Sequence, residues 1–195
     1  RAVARQSRGG LGGGAVARDV TPGRGDDPGA RTLAVRSADA LDAAERAELV
    51  ALCTAAYEEP FDAMFDLLPG STHVLARVDG ALVSHAAWVT RWLQPEGMAP
   101  LRTAYVEAVA TAPAHERRGH ATAVLRELAR LVDGYDLSAL SPSDERFYAR
   151  LGWEPWRGPL AIRQGGELLA TPDEEVMILR LPRTHVVYVT SRPVD

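Results

Sequence analysis

The run from Arg102 to Leu140 constrains this chain more than any other stretch, because it reads as a strand, a turn, a helix and a second strand. Arg102 to Thr111 is rich in strand-forming residues. Gly119 to Val132 sets Ala121, Val124, Leu125, Leu128, Leu131 and Val132 at helical spacing, and Leu137 to Leu140 is a short apolar strand. A helix between two strands lets the second lie parallel to the first, which no tight hairpin allows. The turn itself reads Glu116-Arg117-Arg118-Gly119-His120-Ala121. A glycine turn opening a helix is a ready anion site, since unpaired N–H groups and the helix dipole face the incoming charge. Arg117, Arg118, Gly119, His120, Ala121 and Thr122 can present successive backbone donors to a pyrophosphate, with arginine charge beside them. An ordinary helix start preceded by solvated arginines is the alternative on spacing alone.

The other elements complete a sheet. Thr32 to Arg36 is a short strand, and Asp42 with Glu45 is spaced like a capping box before a helix carrying Leu49, Leu52, Cys53, Ala56 and Tyr57. A second short helix places Phe61, Met64, Phe65 and Leu68 on one face, with Glu58, Glu59, Asp62 and Asp66 on or near the other. His73 to Val78 and Ala81 to Thr90 are strands joined by Asp79-Gly80, a strong hairpin turn. Pro95 to Pro100 is a loop, and Ser143 is expected to cap a short helix through Leu151 that stops at Gly152. Val176 to Leu181 and Val186 to Thr190 close the sheet. The order β, α, α, β, β, β, α, β, α, β, β gives an α+β fold with a mixed, mostly antiparallel sheet.

Residues 1–31 are rich in glycine and arginine without a hydrophobic period and read as a flexible tail, leaving 32–195 as one domain. Gly10-Leu11-Gly12 in that tail lacks the preceding strand and following helix that a nucleotide loop needs. Apolar residues at 46% and charged residues at 25% suit a globular domain. A net charge of −4 argues against nucleic-acid binding and suits a cationic substrate where the acids cluster. Every basic residue other than histidine is arginine, so each arginine carries less functional information than usual. The lone Cys53 admits no internal disulfide, and no long apolar run or secretory core is present. The expected setting is the cytoplasm, without membrane partners. A homodimer stays open, since the sequence does not fix the oligomeric state.

Two side chains stand out as chemistry. Strand alternation puts Tyr105, Glu107, Val109 and Thr111 on one face and Val106, Ala108 and Ala110 on the other. Glu107 among such apolar neighbours is a candidate base; its other reading is an ion pair with a nearby arginine such as Arg102. Tyr148 lies to one side of the Phe147–Leu151 helical face, and its hydroxyl could protonate a departing thiolate or simply pack. Cys53 falls on a core face. His73 and His85 sit in hairpin strands, and His115 and His120 straddle a helix start with poor metal-ligand spacing, so no metal is expected.

Together these segments resemble the GCN5-related N-acetyltransferases, the GNAT superfamily. That family's Gln/Arg-x-x-Gly-x-Gly/Ala motif is matched by Glu116-Arg117-Arg118-Gly119-His120-Ala121, with glutamate departing at the first position. Phe147-Tyr148-Ala149-Arg150-Leu151-Gly152-Trp153 is similar to its late aromatic segment near the coenzyme A sulfur. A narrower resemblance, to aminoglycoside 2′-N-acetyltransferases, is collinear from about residue 33 to 182. It runs through His73 to Val89, Tyr105 to Ala110, Ala139 to Ser143, Tyr148 to Trp153, Pro155 to Pro159 and Thr171-Pro172-Asp173.

The resemblance implies a GNAT fold whose splayed strand pair holds acetyl-CoA as cosubstrate. It implies Glu107 as general base through water and Tyr148 as general acid. Val109 falls where a backbone N–H holds the thioester oxygen, and Ala110 and Thr111 continue that cofactor edge. Ser141, Ser143 and Asp173 fall at aminoglycoside contacts, and Asp62 and Asp66 would attract a polycationic sugar. Two segments depart: the acids of Glu59 to Asp66 are spaced differently, and Val187 to Asp195 has no counterpart of the subfamily's Asp-Trp segment. The expected activity is N-acetylation of an aminoglycoside, with antibiotic resistance as its consequence. Acetylation of another small cationic amine, or acyl-CoA binding without catalysis, are the alternatives.

Overall fold

The computed structural model describes residues 17–20 and 30–184. Its strands are β1 (Ala17–Val20), β2 (Arg31–Ser37), β3 (Thr72–Val78), β4 (Ala81–Leu93), β5 (Leu101–Thr111) and β6 (Leu137–Leu140). These are followed by β7 (Glu154–Pro155), β8 (Ala161–Gln164), β9 (Glu167–Ala170) and β10 (Met177–Leu179). The helices are α1 (Ala43–Tyr57), α2 (Met64–Leu67), α3 (His120–Leu131) and α4 (Glu145–Ala149). Eight strands form one sheet in the order β1-β2-β3-β4-β5-β6-β10-β7, and β8 with β9 forms a separate two-stranded ribbon.

Local chemistry explains most boundaries. Asp42 Oδ1 accepts the Glu45 N–H at 2.8 Å, so α1 starts where the capping pattern places it. Asp79 and Gly80 both take positive φ, 49° and 80°, as the tight β3–β4 hairpin requires. α3 carries β5 across to β6, and these two strands pair in parallel through Thr103–Leu137, Ala104–Ser138 and Tyr105–Ala139. β5 runs six residues further, to Thr111, without β6 beside it. The sheet therefore splays open past Tyr105.

Each face of the sheet has its own core. Under α3, Val124, Leu125, Leu128 and Val132 pack on Val74, Val83, Ala104 and Val106. Under α1, Leu49, Leu52 and Cys53 pack on Leu75, Ala87, Val89 and Ala110, with Met64 and Leu68 closing the edge. Each such leucine contributes about 1.5–3 kcal/mol by leaving water, so both helices are held by burial on their inner stripes.

Some expectations change. The stretch read as tail contains β1, which pairs antiparallel with β2. Asp144, one residue beyond Ser143, caps α4, with its Oδ1 accepting the N–H groups of Arg146 and Phe147. The ribbon β8–β9, outside the expected elements, turns at Gly165-Gly166, a hairpin signal. The expected strand Val186 to Thr190 lies outside the described residues.

Candidate active site

The site grows from an irregularity in β5. His85 stands opposite Ala110 and Ala87 opposite Glu107, so β5 spends one residue more than β4 between these rungs. The extra residue makes a β-bulge, and Ala108 adopts φ 50° there. A bulge inverts the alternation beyond it. Val109 accordingly packs with Ala104 and Val106 under α3, while Tyr105, Ala108 and Ala110 pack on the α1 side. The expected face shared by Glu107 and Val109 is thus corrected: they lie in different phases of the strand.

Three consecutive carbonyls of the bulge are captured by side chains. Ala108 O accepts from His85 Nδ1 at 2.9 Å, Val109 O from the Tyr57 hydroxyl at 3.0 Å, and Ala110 O from Ser84 Oγ at 2.9 Å. Behind His85 stand His73, with its Nδ1 2.9 Å from His85 Nε2, and Ser71, with its Oγ 2.8 Å from His73 Nε2. All three are fully or almost fully buried. Burial drives the His73 imidazole down to about 4, helped by the Arg46 charge. His85 is held well below its ordinary value by burial and then by His73, against the favourable Ala108 carbonyl.

Glu107 is half-buried and ion-paired with Arg91, not Arg102. Arg91 in turn lies 4.1 Å over the Tyr105 ring, whereas Arg102 stacks on Tyr135. Burial lifts the Glu107 carboxyl above its ordinary value, against the Arg91 guanidinium, which lowers it by charge and hydrogen bond. A lifted carboxylate is the better proton acceptor. The sequence marks Tyr57 only as an apolar helix position. Burial raises its hydroxyl first, and the charges of Cys53, Tyr148, Glu107 and Glu59 add to that, which puts Tyr57 within electrostatic reach of both candidate catalytic groups.

Tyr148 is buried between Phe147 and Trp153, with ring centroids 5.1 and 6.2 Å away. Burial raises its hydroxyl, a hydrogen bond with Ser143 opposes this, and Asp144 adds to it. Ser143 therefore touches the candidate acid directly. Cys53 is buried in the α1 core, and burial pushes its thiol up to about 12, which removes it as a nucleophile.

Past Thr111 the chain makes one 3₁₀ turn at Pro113–His115 and enters the glycine turn. Arg117 and Gly119 take φ 58° and 79°, and no side chain caps α3. The first intrahelical bond is Ala123 N–H to Gly119 O, so the N–H groups of Gly119, His120, Ala121 and Thr122 precede any helical acceptor. Arg117 and Arg118 are exposed beside them. The His120 side chain is buried near His115, with ring centroids 5.9 Å apart, so only its backbone faces the turn.

The expected substrate residues are scattered around this centre. Asp62, Asp66, Ser141 and Asp173 are exposed. Asp62 follows Phe61, whose ring stacks on Tyr57 at 4.8 Å. Asp173 precedes Glu174, whose charge raises the Tyr105 hydroxyl after burial, Arg91 and Glu107 have acted. Glu174 and Glu175, with Glu145, Trp156 and Thr171, line a groove of about 500 Å³ formed by the segments that lead into and out of the ribbon β8–β9, the ribbon itself contributing Ala170. None of the residues expected at the substrate site lines this groove. Among the described residues no group of three His, Cys, Asp or Glu side chains is disposed to hold a metal, and no helix is long and apolar enough to cross a membrane.

Comparison with known proteins gives consistent relatives. Residues 34–156 match the family described as Acetyltransferase (GNAT) domain. The chain is 38% identical over 131 residues to an aminoglycoside 2′-N-acetyltransferase of Mycolicibacterium fortuitum, covering 65% of this chain and 67% of that protein. Among solved structures, Escherichia coli ElaA matches with a TM-score of 0.56 at 15% identity, over 77% of this chain and 100% of that one. Eis1 from Mycobacterium abscessus matches with a TM-score of 0.52 at 24% identity over 62% of this chain, which spans 31% of Eis1. Both structures are similar in fold.

Proposed function

We propose that this chain, which belongs to the GNAT family of acetyltransferases, transfers the acetyl group of acetyl-CoA to an amino group of an aminoglycoside. It is an N-acetyltransferase by family and by its Mycolicibacterium relative. The single observation that carries the aminoglycoside is the identity with that relative across most of the domain. The groove lined by Glu145, Glu174 and Glu175 supports it, because a polycationic sugar gains from clustered carboxylates.

The residues fit acetyl-CoA on two independent features. The uncapped start of α3 with Arg117 and Arg118 suits a pyrophosphate, and the open edge of β5 from Val109 to Thr111 suits an amide-bearing arm that pairs as a strand would. The bound thioester supplies an activated acetyl group. The chain's own groups do the rest. Glu107 accepts the proton of the substrate ammonium through water, since a protonated amine is not nucleophilic. The Val109 N–H holds the thioester oxygen, where charge develops. Tyr148, whose phenol carries its proton at neutral pH, donates to the leaving sulfur.

A panel of aminoglycosides and simple polyamines incubated with acetyl-CoA, read by mass spectrometry, tests this directly. Gain of one acetyl mass on aminoglycosides alone is expected, with turnover reduced in Glu107→Gln, mainly where the carboxylate is ionised and the amine still protonated, and in Tyr148→Phe without loss of CoA affinity. Acetylated polyamines alone would favour a different small amine, a reading supported by the changed spacing of Asp62 and Asp66. Binding of CoA with no product on any amine would leave a non-catalytic module. We take the cytoplasm as the setting and a homodimer as the assembly to check by light scattering.

A further inference from the structure

We propose that Ser71, His73 and His85 form a one-way hydrogen-bond relay that aims the Val109 N–H at the acyl oxygen, making His85 a positioning residue for acetyl transfer. This rests on the acetyl-transfer reading above. The direction of the relay follows from its last link. A carbonyl only accepts, so His85 Nδ1 must carry the hydrogen it shares with Ala108 O at 2.9 Å. A neutral His85 ring then has Nε2 free to accept, and the atom facing it is His73 Nδ1 at 2.9 Å. His73 Nε2 is left to accept the Ser71 hydroxyl hydrogen at 2.8 Å. Both rings hold their hydrogen on Nδ1. Their burial makes neutrality the stable state, since a charge there would lack a counterion.

The link to chemistry is covalent geometry. In a trans peptide the C=O of one residue and the N–H of the next lie in one plane and point opposite ways, and this chain has no cis bond among its described residues. Fixing Ala108 O on the His85 side therefore sends the Val109 N–H in the opposite direction. The plane is turned this far because Ala108 takes φ 50°, a conformation costly for a residue with a Cβ. Without the His85 donor, that carbonyl would lose the partner recorded for it in the bulge, and the peptide would be free to rotate back. The relay behind His85 fixes the ring plane, so the donor cannot swing away. Cys53 Sγ, 4.0 Å from the same Nδ1, is too distant and too weak to replace the carbonyl.

Nitrogen-detected NMR of the histidine-labelled full chain tests the relay without requiring turnover. Protonated Nδ1 and unprotonated Nε2 are expected for both His73 and His85; a protonated Nε2 on His85 would overturn the direction. Kinetics test the aim. His85→Phe fills the space without a donor and is expected to lower kcat about tenfold to a hundredfold while KM for acetyl-CoA stays near the parent value. His85→Gln, whose amide can donate, should recover part of that loss. Parent-like kcat in His85→Phe, or a loss that follows melting temperature and is not relieved by glutamine, overturns the proposal. If neither variant folds, Ser71→Ala is read the same way: reduced kcat at unchanged KM and melting temperature supports the relay, and unchanged kcat overturns it. Absence of acetyl transfer by the parent would instead strike the functional reading, leaving the tautomer result to stand by itself.

Discussion

Replacing Gly119 with alanine separates what the turn costs from what it binds. Gly119 sits at φ 79°, and a Cβ built there meets no atom within 4 Å. The substitution therefore adds no clash, and its whole penalty is handedness, about 1–2 kcal/mol for an L-residue with a side chain. That penalty has two places to appear. If the turn keeps its shape, the folded state carries it, and a domain of this size should melt about 2–8 °C lower, at roughly 2–4 °C per kcal/mol. If the turn relaxes instead, the N–H row at the start of α3 disperses, and binding of CoA must restore it. The same 1–2 kcal/mol then weakens affinity by about 5- to 30-fold. The two losses should sum to about the handedness cost. Gly119→Asn should lose less of both, since asparagine enters the left-handed region more readily. Thermal unfolding by circular dichroism and CoA titration by calorimetry measure the two terms. An alanine variant that melts within a degree of the parent and binds CoA equally well would refute the argument.

Two further outcomes follow from the electrostatics. In Arg91→Met the burial of Glu107 is no longer opposed, so its carboxyl rises further; a base works only when deprotonated, and activity is lost as pH falls through its pKa, so the acid limb of kcat/KM should move to higher pH. A limb that stays in place or moves down would show that Arg91 does not hold the carboxylate. With its thiol pushed up to about 12, Cys53 should resist maleimide at pH 8 in the folded protein and react on unfolding, and rapid labelling of the native chain would contradict its burial.

The readable parts of the fold were those set by neighbours in sequence. Asp79-Gly80 forces a hairpin, Asp42 caps α1 through a residue three places on, and the α3 stripe needs only its own period. What stayed hidden depends on register. In an unbulged hairpin closed at Val78 and Ala81, His73 and His85 would lie on opposite faces of the sheet. The irregularity between Ala76 and Arg77 shifts the pairing by one, puts His85 opposite Leu75, and brings both rings to the α1 side. The bulge at Ala108 likewise reverses the face of Val109, which alternation assigned to Glu107's side. Glu107 stands out in the sequence as a carboxylate in an apolar strand, but its partner does not, because Arg91 reaches it across β4 and β5. The ribbon is a different case: Gly165-Gly166 between two short strands is a local hairpin signal of the same kind as Asp79-Gly80.

That ribbon has a consequence for how this protein can change. β8 and β9 begin after residue 156, where the match to the family ends, and they pair with no strand of the main sheet. Leu168 and Leu169 point outward at 63% and 43% exposure, so little of the core depends on them. Glu107 and Val109 lie on β5 and Tyr148 on α4, whereas the groove is lined by the segments 155–160 and 171–176 on either side of the hairpin, with Ala170 from the hairpin itself. Because those segments lead into and out of the hairpin, changes there can shift the groove walls without touching Glu107, Val109 or Tyr148. A library over residues 155–176, which takes in the lining segments together with the ribbon between them, is the economical way to vary that groove.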